Sequence, residues 1–264
     1  MIQTPFSSLL HNLSAGENGL TVQLPQDWLQ GRTAYGGISA ALCLEAGLGC
    51  MAALPPLRSA QFAFIGPAAG QLRLRPSILR QGRSSVFVGV DLDGEAGLAT
   101  RALLCFGAHR DSTIDHAVAA APLVQGWDDC PPYFQPAGAP NFASHFDSRL
   151  ADGARPRTPG SDPRMVVWMR HGDVGARNTL TGLIALADAL PPAAMVLFKG
   201  GAPISTMTWC VDMLTDSPVS ETGWWLLAST AETAGDGYSA QSMTLWDDHR
   251  RPVMAARQMV AIFS

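Results

Sequence analysis

The 264-residue sequence predicts an α+β fold built from two similar halves, each a long central helix wrapped by an antiparallel sheet. Two observations carry this reading. An apolar helical run, a Pro-Pro pair and four strand-like runs occur in that order twice. The hairpins that close the two series can also be aligned. Identity between the halves is weak, but a shared order of elements is the mark of a diverged tandem repeat.

In the first half, residues 19–28 (GLTVQLPQDW) read as a strand. The turn-rich GRTAYGG then leads into ISAALCLEAGLGCMAAL. Ile38, Ala41, Leu42, Glu45, Ala46 and Gly49 recur there at helical spacing, and nearly all other positions are apolar, so this helix, about 34–53, is expected to be buried. Pro55-Pro56 ends it, because proline cannot continue a helix. Strand runs follow at 58–65, 71–79, 84–93 and 98–108, parted by Gly66-Pro67, Gly82 and Asp93-Gly94.

Residues 111–165 hold eight of the nineteen prolines and show little periodicity. They read as a linker with room for a short helix. From Met165 the pattern returns. MVVWMRHG resembles a strand, and TLTGLIALADAL is an apolar helix over about 178–190 that Pro191-Pro192 stops. Strand runs come at 203–214, 222–233, 238–248 and 253–263. The expected division is 1–110, a Pro-rich linker at 111–164, and 165–264. Aligning GRSSVFVGVDLDGEAGLATRALLCF with GYSAQSMTLWDDHRRPVMAARQMVAIF sets Arg101 opposite Arg257 and Ala102 opposite Gln258.

Composition bounds the function. With 47% hydrophobic and 15% charged residues the chain has material for a substantial core. A net charge of −4 argues against nucleic acid as a partner, which calls for basic surface. Five cysteines without CxxC spacing fit a reducing compartment better than a disulfide framework or a zinc site. The N-terminus has no basic segment followed by an apolar run, and the two most apolar stretches are broken by Glu45 and by Asp188 with Pro191-Pro192. A cytoplasmic protein with no membrane partner is expected. GxGxxG, Walker A, HExxH and GxSxG patterns are absent, and the six histidines are scattered, so no metal or cofactor is expected.

What remains is polar residues inside apolar elements. Asp188 is the one charge in TLTGLIALADAL. A buried carboxylate must be hydrogen-bonded or functional, and desolvation raises its pKa toward that of a general base at neutral pH. An aspartate on the exposed edge of the last turn is the competing reading. Strict alternation along ISTMTWCVDML puts Thr206, Thr208, Cys210 and Asp212 on one face, with Met207, Trp209, Val211 and Met213 on the other. Gln258 interrupts the apolar strand MAARQMVAIF. A solvated sheet face would explain either polar residue equally well.

Taken together, Asp188 in LADAL, Thr206 in ISTMTW and Gln258 in AARQMV, with AYGG before the first helix and FAFIGP after it, resemble the double-hotdog acyl-CoA thioesterases of the type II (TesB-like) family. The chain departs from that pattern at Gly66, where an arginine is common, and at residues 213–216, which lack a His-Arg-Pro-like ending. The resemblance implies an acyl-CoA substrate and a water activated by Asp188 and held by Thr206 and Gln258. It also implies backbone donors for the thioester oxygen at Gly36-Gly37, where the helix dipole favours an oxyanion. Glu45 would take the place of Asp188 in the first half, where Ala102 replaces Gln258 and the chemistry is lost. Trp209, Trp224 and Trp225 are candidates for contact with the acyl chain, and Arg32, Arg58 and Arg83 for the CoA phosphates. Two fused halves should complete one site within a monomer, with further self-association through sheet edges open to it. The alternatives are a non-catalytic acyl-CoA or lipid binder, and a hotdog hydratase or dehydratase. The latter uses an Asp-His pair, for which only His171 with Asp173 is available near the second helix.

Overall fold

The computed structural model describes residues 3–263 apart from 115, 118, 136 and 137. The first half runs through α1 (Phe6–His11), β1 (Ser14–Gly16), β2 (Gly19–Gln23), the small hairpin β3 (Leu29–Gln30) and β4 (Thr33–Ala34), and the helix α2 (Gly36–Leu48). It closes with β5 (Leu57–Phe64), β6 (Gln71–Gln81), β7 (Ser85–Gly94) and β8 (Gly97–Gly107). The second half contains β9 (Phe146–Gly153), β10 (Arg164–His171), α3 (Leu180–Ala187), β11 (Ile204–Met213), β12 (Trp225–Gly235), β13 (Tyr238–Trp246) and β14 (Pro252–Ile262). Without α1 and the small hairpin, both halves read strand, strand, helix, four strands.

Twelve strands form one sheet in the order β1-β2-β6-β7-β8-β5-β11-β14-β13-β12-β10-β9. The two halves of that list are mirror images in the repeat, so this is a tandem double hotdog with an internal twofold. The axis falls at the antiparallel β5–β11 seam, where Phe62 lies opposite Trp209 and the two buried rings stack at 5.5 Å. On its other side Phe62 pairs with Ala102, and Trp209 pairs with Gln258. The register therefore gives the same Ala102–Gln258 equivalence as the hairpin alignment.

α2 is buried on nearly every face and packs against β6, β7, β8 and α3. It starts only at Gly36 and stops at Leu48, ahead of its Pro-Pro pair. α3 is shorter than its apolar pattern. The Thr179 side chain caps it, accepting from the Gly182 N–H at 3.0 Å, and it ends at Ala187. Asp188 already has ψ near 4°, and Pro191 disfavours helix at the residue before it. Among the described residues no helix is long and apolar enough to cross a membrane.

Two expected elements come out differently. The strand read over 19–28 ends at Gln23, and Pro25 starts a 3-10 turn that buries Trp28 against the His145 ring, 3.7 Å away. The segment read as a linker supplies β9, which pairs antiparallel with β10 at the end of the sheet. Its prolines, at 140 before and 156 after, bracket the strand rather than interrupt it.

The Phe62–Trp209 pair joins the halves through buried aromatic surface. Trp209→Ala is expected to lower the unfolding free energy by about 3–5 kcal/mol, the usual cost of emptying a large core position. A denaturant titration reads this directly, and an unmoved midpoint would show that the seam does not depend on the pair.

Candidate active site

A cavity of about 1000 Å³ opens where the ends of α2 and α3 approach β5 and β11. Its apolar wall includes Phe64, Phe134, Phe142, Leu190, Met195 and Ile204, while Gly36, Asp188, Thr206 and Gln258 supply polar groups. Gly36 and Phe64 belong to the first half, and Asp188, Thr206 and Gln258 to the second. One chain thus builds the whole lining from both of its repeats.

Asp188 sits just past the end of α3, half-buried at the cavity wall. Its carboxylate accepts a hydrogen bond from the Gln258 side-chain amide, and the nearby Gly37 backbone N–H at the start of α2 favours its charged form. The approach is close enough to demand glycine. A Cβ at Gly36 would lie 2.6 Å from Asp188 Oδ2 and 3.0 Å from the Phe64 ring. One at Gly37 would lie 2.5 Å from the Tyr35 ring and 2.6 Å from the Ala185 carbonyl oxygen. The Tyr35 hydroxyl donates to that same carbonyl at 3.0 Å, tying the start of α2 to the last turn of α3. Burial pushes the Asp188 carboxyl up to about 7, outweighing the Gln258 hydrogen bond and the nearby Gly37 N–H, which favour the charged form. The Tyr35 hydroxyl is raised by its own burial and then by the charge of Asp188.

Thr206 reaches the cavity by a route that strict alternation misses. The β11–β14 register shifts between Thr206, opposite Val260, and Thr208, opposite Met259, which leaves Met207 as an extra residue. Thr208, Cys210 and Asp212 are exposed, while Thr206 is half-buried and lines the cavity. The expected shared face of these four residues is therefore wrong: a β-bulge re-aims Thr206 inward.

Gln258 is 5% exposed, and its carbonyl oxygen accepts from Gln241 Nε2 at 2.5 Å. Gln241, 1% exposed, in turn accepts from the Ala193 N–H at 2.8 Å. The sequence reading missed Gln241, although it shares the buried face of β13 with Met243 and Leu245. Register places it where the first half has Val90, just as Gln258 stands where that half has Ala102.

Several expected contacts fall elsewhere. Trp209 and Trp225 are core residues, and Trp224 packs in a second cluster with Trp168 and Trp246, so none of the three lines the cavity. Arg58 pairs with Asp216, and Arg32 and Arg83 are exposed and do not line the cavity. The arginines on its wall are Arg155 and Arg157, from the supposed linker. Arg155 is held by the Tyr133 and Pro132 carbonyls. Glu45 is half-buried in the last turn of α2 and does not face the cavity. His171 is buried against the Gly182 carbonyl at 2.8 Å, and desolvation presses it down to about 4. No histidine lines the cavity among the described residues.

The crowding at Gly36 is testable through stability. Gly36→Ala should destabilise the fold by about 1–3 kcal/mol, as overpacking does. Gly200→Ala, on the same cavity but with open space around it, should stay within about 0.5 kcal/mol of the parent. Equal thermal shifts for the two variants would contradict the packing described.

Comparison with known proteins gives this cavity its context. The family model for the acyl-CoA thioesterase N-terminal domain matches residues 24–107, and that for the C-terminal domain matches residues 127–262. A search of curated proteins found no match. Among solved structures, a hot dog fold protein of unknown function from Alicyclobacillus acidocaldarius is similar at 24% identity over 99% of both chains, with a TM-score of 0.87. A candidate thioesterase II from Thermobifida fusca is similar at 20% identity over 100% of both chains, with a TM-score of 0.82. The acyl-CoA thioesterase II TesB2 of Mycobacterium marinum is similar at 16% over 97% of both, with a TM-score of 0.74. At these identities the structures speak for the fold alone, whereas the C-terminal family model spans more than half of the chain. The chain belongs to the acyl-CoA thioesterase family.

Proposed function

We propose that the cavity hydrolyses acyl-CoA thioesters to free acid and CoA, with Asp188 as general base for a water that Thr206 and Gln258 help to hold. The observation that supports this most is a carboxylate on the cavity wall whose pKa burial has brought to about 7. Such a group is half ionised near neutrality, which suits it to take a proton and give it back. The acyl group lies along the apolar wall. Asp188 takes a proton from the water, the new C–O bond forms, and the C–S bond breaks. The proton then passes to the departing sulfur.

Gly36, at the positive end of α2, provides the backbone N–H for the developing oxyanion. The Gly37 N–H beside it shares that task and also favours the ionised form of the base. Because one chain supplies every one of these groups, a monomer is sufficient for turnover. All five cysteines are free, which supports a reducing, cytoplasmic setting.

Assays over a panel of acyl-CoA chain lengths test the assignment. Asp188→Asn should lower kcat by on the order of 10²–10⁴ with the fold intact, and Thr206→Ala or Gln258→Ala by less. Near-full activity in Asp188→Asn would refute the assignment. Acyl-CoA binding without turnover by the parent would instead indicate a carrier.

The pH dependence has a definite sign. Activity should rise with pH through about 7, as the carboxylate ionises. Stability should run the other way. An unfolded aspartate titrates near ~3.9, so between that pH and about 7 the folded chain holds the extra proton. The associated stabilisation is complete below ~4 and lost as pH rises through 7. Asp188→Asn should therefore melt at or above the parent temperature at pH 8, with the difference shrinking at pH 5. A difference that grows toward acid would reverse the argument.

A further inference from the structure

We propose that Gln241 is a positioning residue for the catalytic carboxylate, acting through Gln258 as a directional amide relay. The inference rests on the reading of Asp188 as the base, and on the polarity of four consecutive groups.

The Ala193 backbone N–H can only donate, so the Gln241 atom 2.8 Å from it must be the carbonyl oxygen. That fixes the Gln241 amide, whose nitrogen then points at Gln258. The Gln258 oxygen must accept from it, which turns the Gln258 nitrogen toward Asp188 Oδ1. While Asp188 is protonated, either end of the Gln258 amide can meet it; Gln241 removes the orientation that would leave a carbonyl oxygen against the carboxylate once it ionises.

The relay also closes on itself. Ala193 lies five residues beyond Asp188, just past Pro191-Pro192, so the chain segment that leaves the base returns to orient its partner. Both glutamines are buried on adjacent strands, with Gln241 directly opposite Gln258. Burying two amides is costly unless each is satisfied, and here each satisfies the next. The first half, whose Glu45 does not line the cavity, carries Val90 and Ala102 at these positions. Around the base, Tyr35 is the titratable neighbour from α2, and Arg155 and Arg157 are the charged groups elsewhere on the wall.

The test compares the parent, Gln241→Met, Gln258→Ala and the double variant on one acyl-CoA, with Asp188→Asn alongside. Methionine approximates the volume of glutamine while removing both its donor and its acceptor. Gln241→Met should lower kcat roughly tenfold and leave KM nearly unchanged. It should also move the rise of kcat/KM up by about one pH unit, because the carboxylate loses a hydrogen bond to its charged form. In the Gln258→Ala background the same substitution should add almost nothing, since it acts through Gln258.

An unmoved pH profile, or losses that simply add, would reduce Gln241 to a space-filling role and overturn the relay. Should Gln241→Met fail to fold, side-chain amide hydrogen exchange in the parent decides. A slowly exchanging Gln241 NH₂, the group that donates to Gln258, supports the relay, and a freely exchanging one overturns it. If Asp188→Asn is inactive while Gln241→Met behaves as the parent, the relay alone fails. If Asp188→Asn stays active, the base assignment fails first.

Discussion

The end of α3 meets the start of α2 closely because α2 begins with two residues that have no side chain. Gly36 and Gly37 leave no Cβ, so the first turn of α2 can press against Asp188 and the Ala185 carbonyl, and Tyr35 fastens the contact. Most of what distinguishes the cavity follows from that approach. It desolvates the carboxylate, raising its pKa, and sets the Gly37 N–H where it favours the charged form. It also brings the two repeats together at the cavity that both of them line. A Cβ at either glycine would collide with this contact, within 2.6 Å of Asp188 Oδ2 at Gly36 and of the Ala185 carbonyl oxygen at Gly37.

The repeats share a sheet order and a seam but not an interior. In the second half, the register positions next to the seam hold two buried glutamines that end at a carboxylate. In the first half the same positions hold alanine and valine. Buried polar groups are unfavourable unless fully paired, and among the described residues no carboxylate of the first half lines the cavity to pair with them. The asymmetry is therefore one of chemistry laid over a symmetric scaffold. The segment between the halves follows the same logic. Its aromatic residues Phe134 and Phe142 and its Arg155 and Arg157 complete the cavity wall, so the chain joining the repeats also covers their shared site.

Much of this was legible in the sequence, for identifiable reasons. The two apolar helices, their Pro-Pro stops and the strand runs follow from periodicity and from the conformational limits of proline, which act locally. Asp188 stood out because a lone charge in an apolar helix is expensive without a partner. The equivalence of Ala102 and Gln258 came from aligning hairpins, since antiparallel register propagates from a turn. The strand β9 stayed hidden because its flanking prolines obscured a short pattern.

The sequence by itself determined the double repeat, the buried helices and the polar residues that could not be explained as core. Tertiary structure decided which of those residues meet. A β-bulge, invisible to alternation, turned Thr206 from its expected face into the cavity. Gln241 gained its significance only from the strand beside it, and the tryptophans and arginines expected at the cavity proved to lie in the core or on the surface. The physical reason is one of range. Propensity and periodicity act over a few residues along the chain, whereas Asp188, Gln258 and Gly37 are brought together across strands and repeats by packing that no local pattern records.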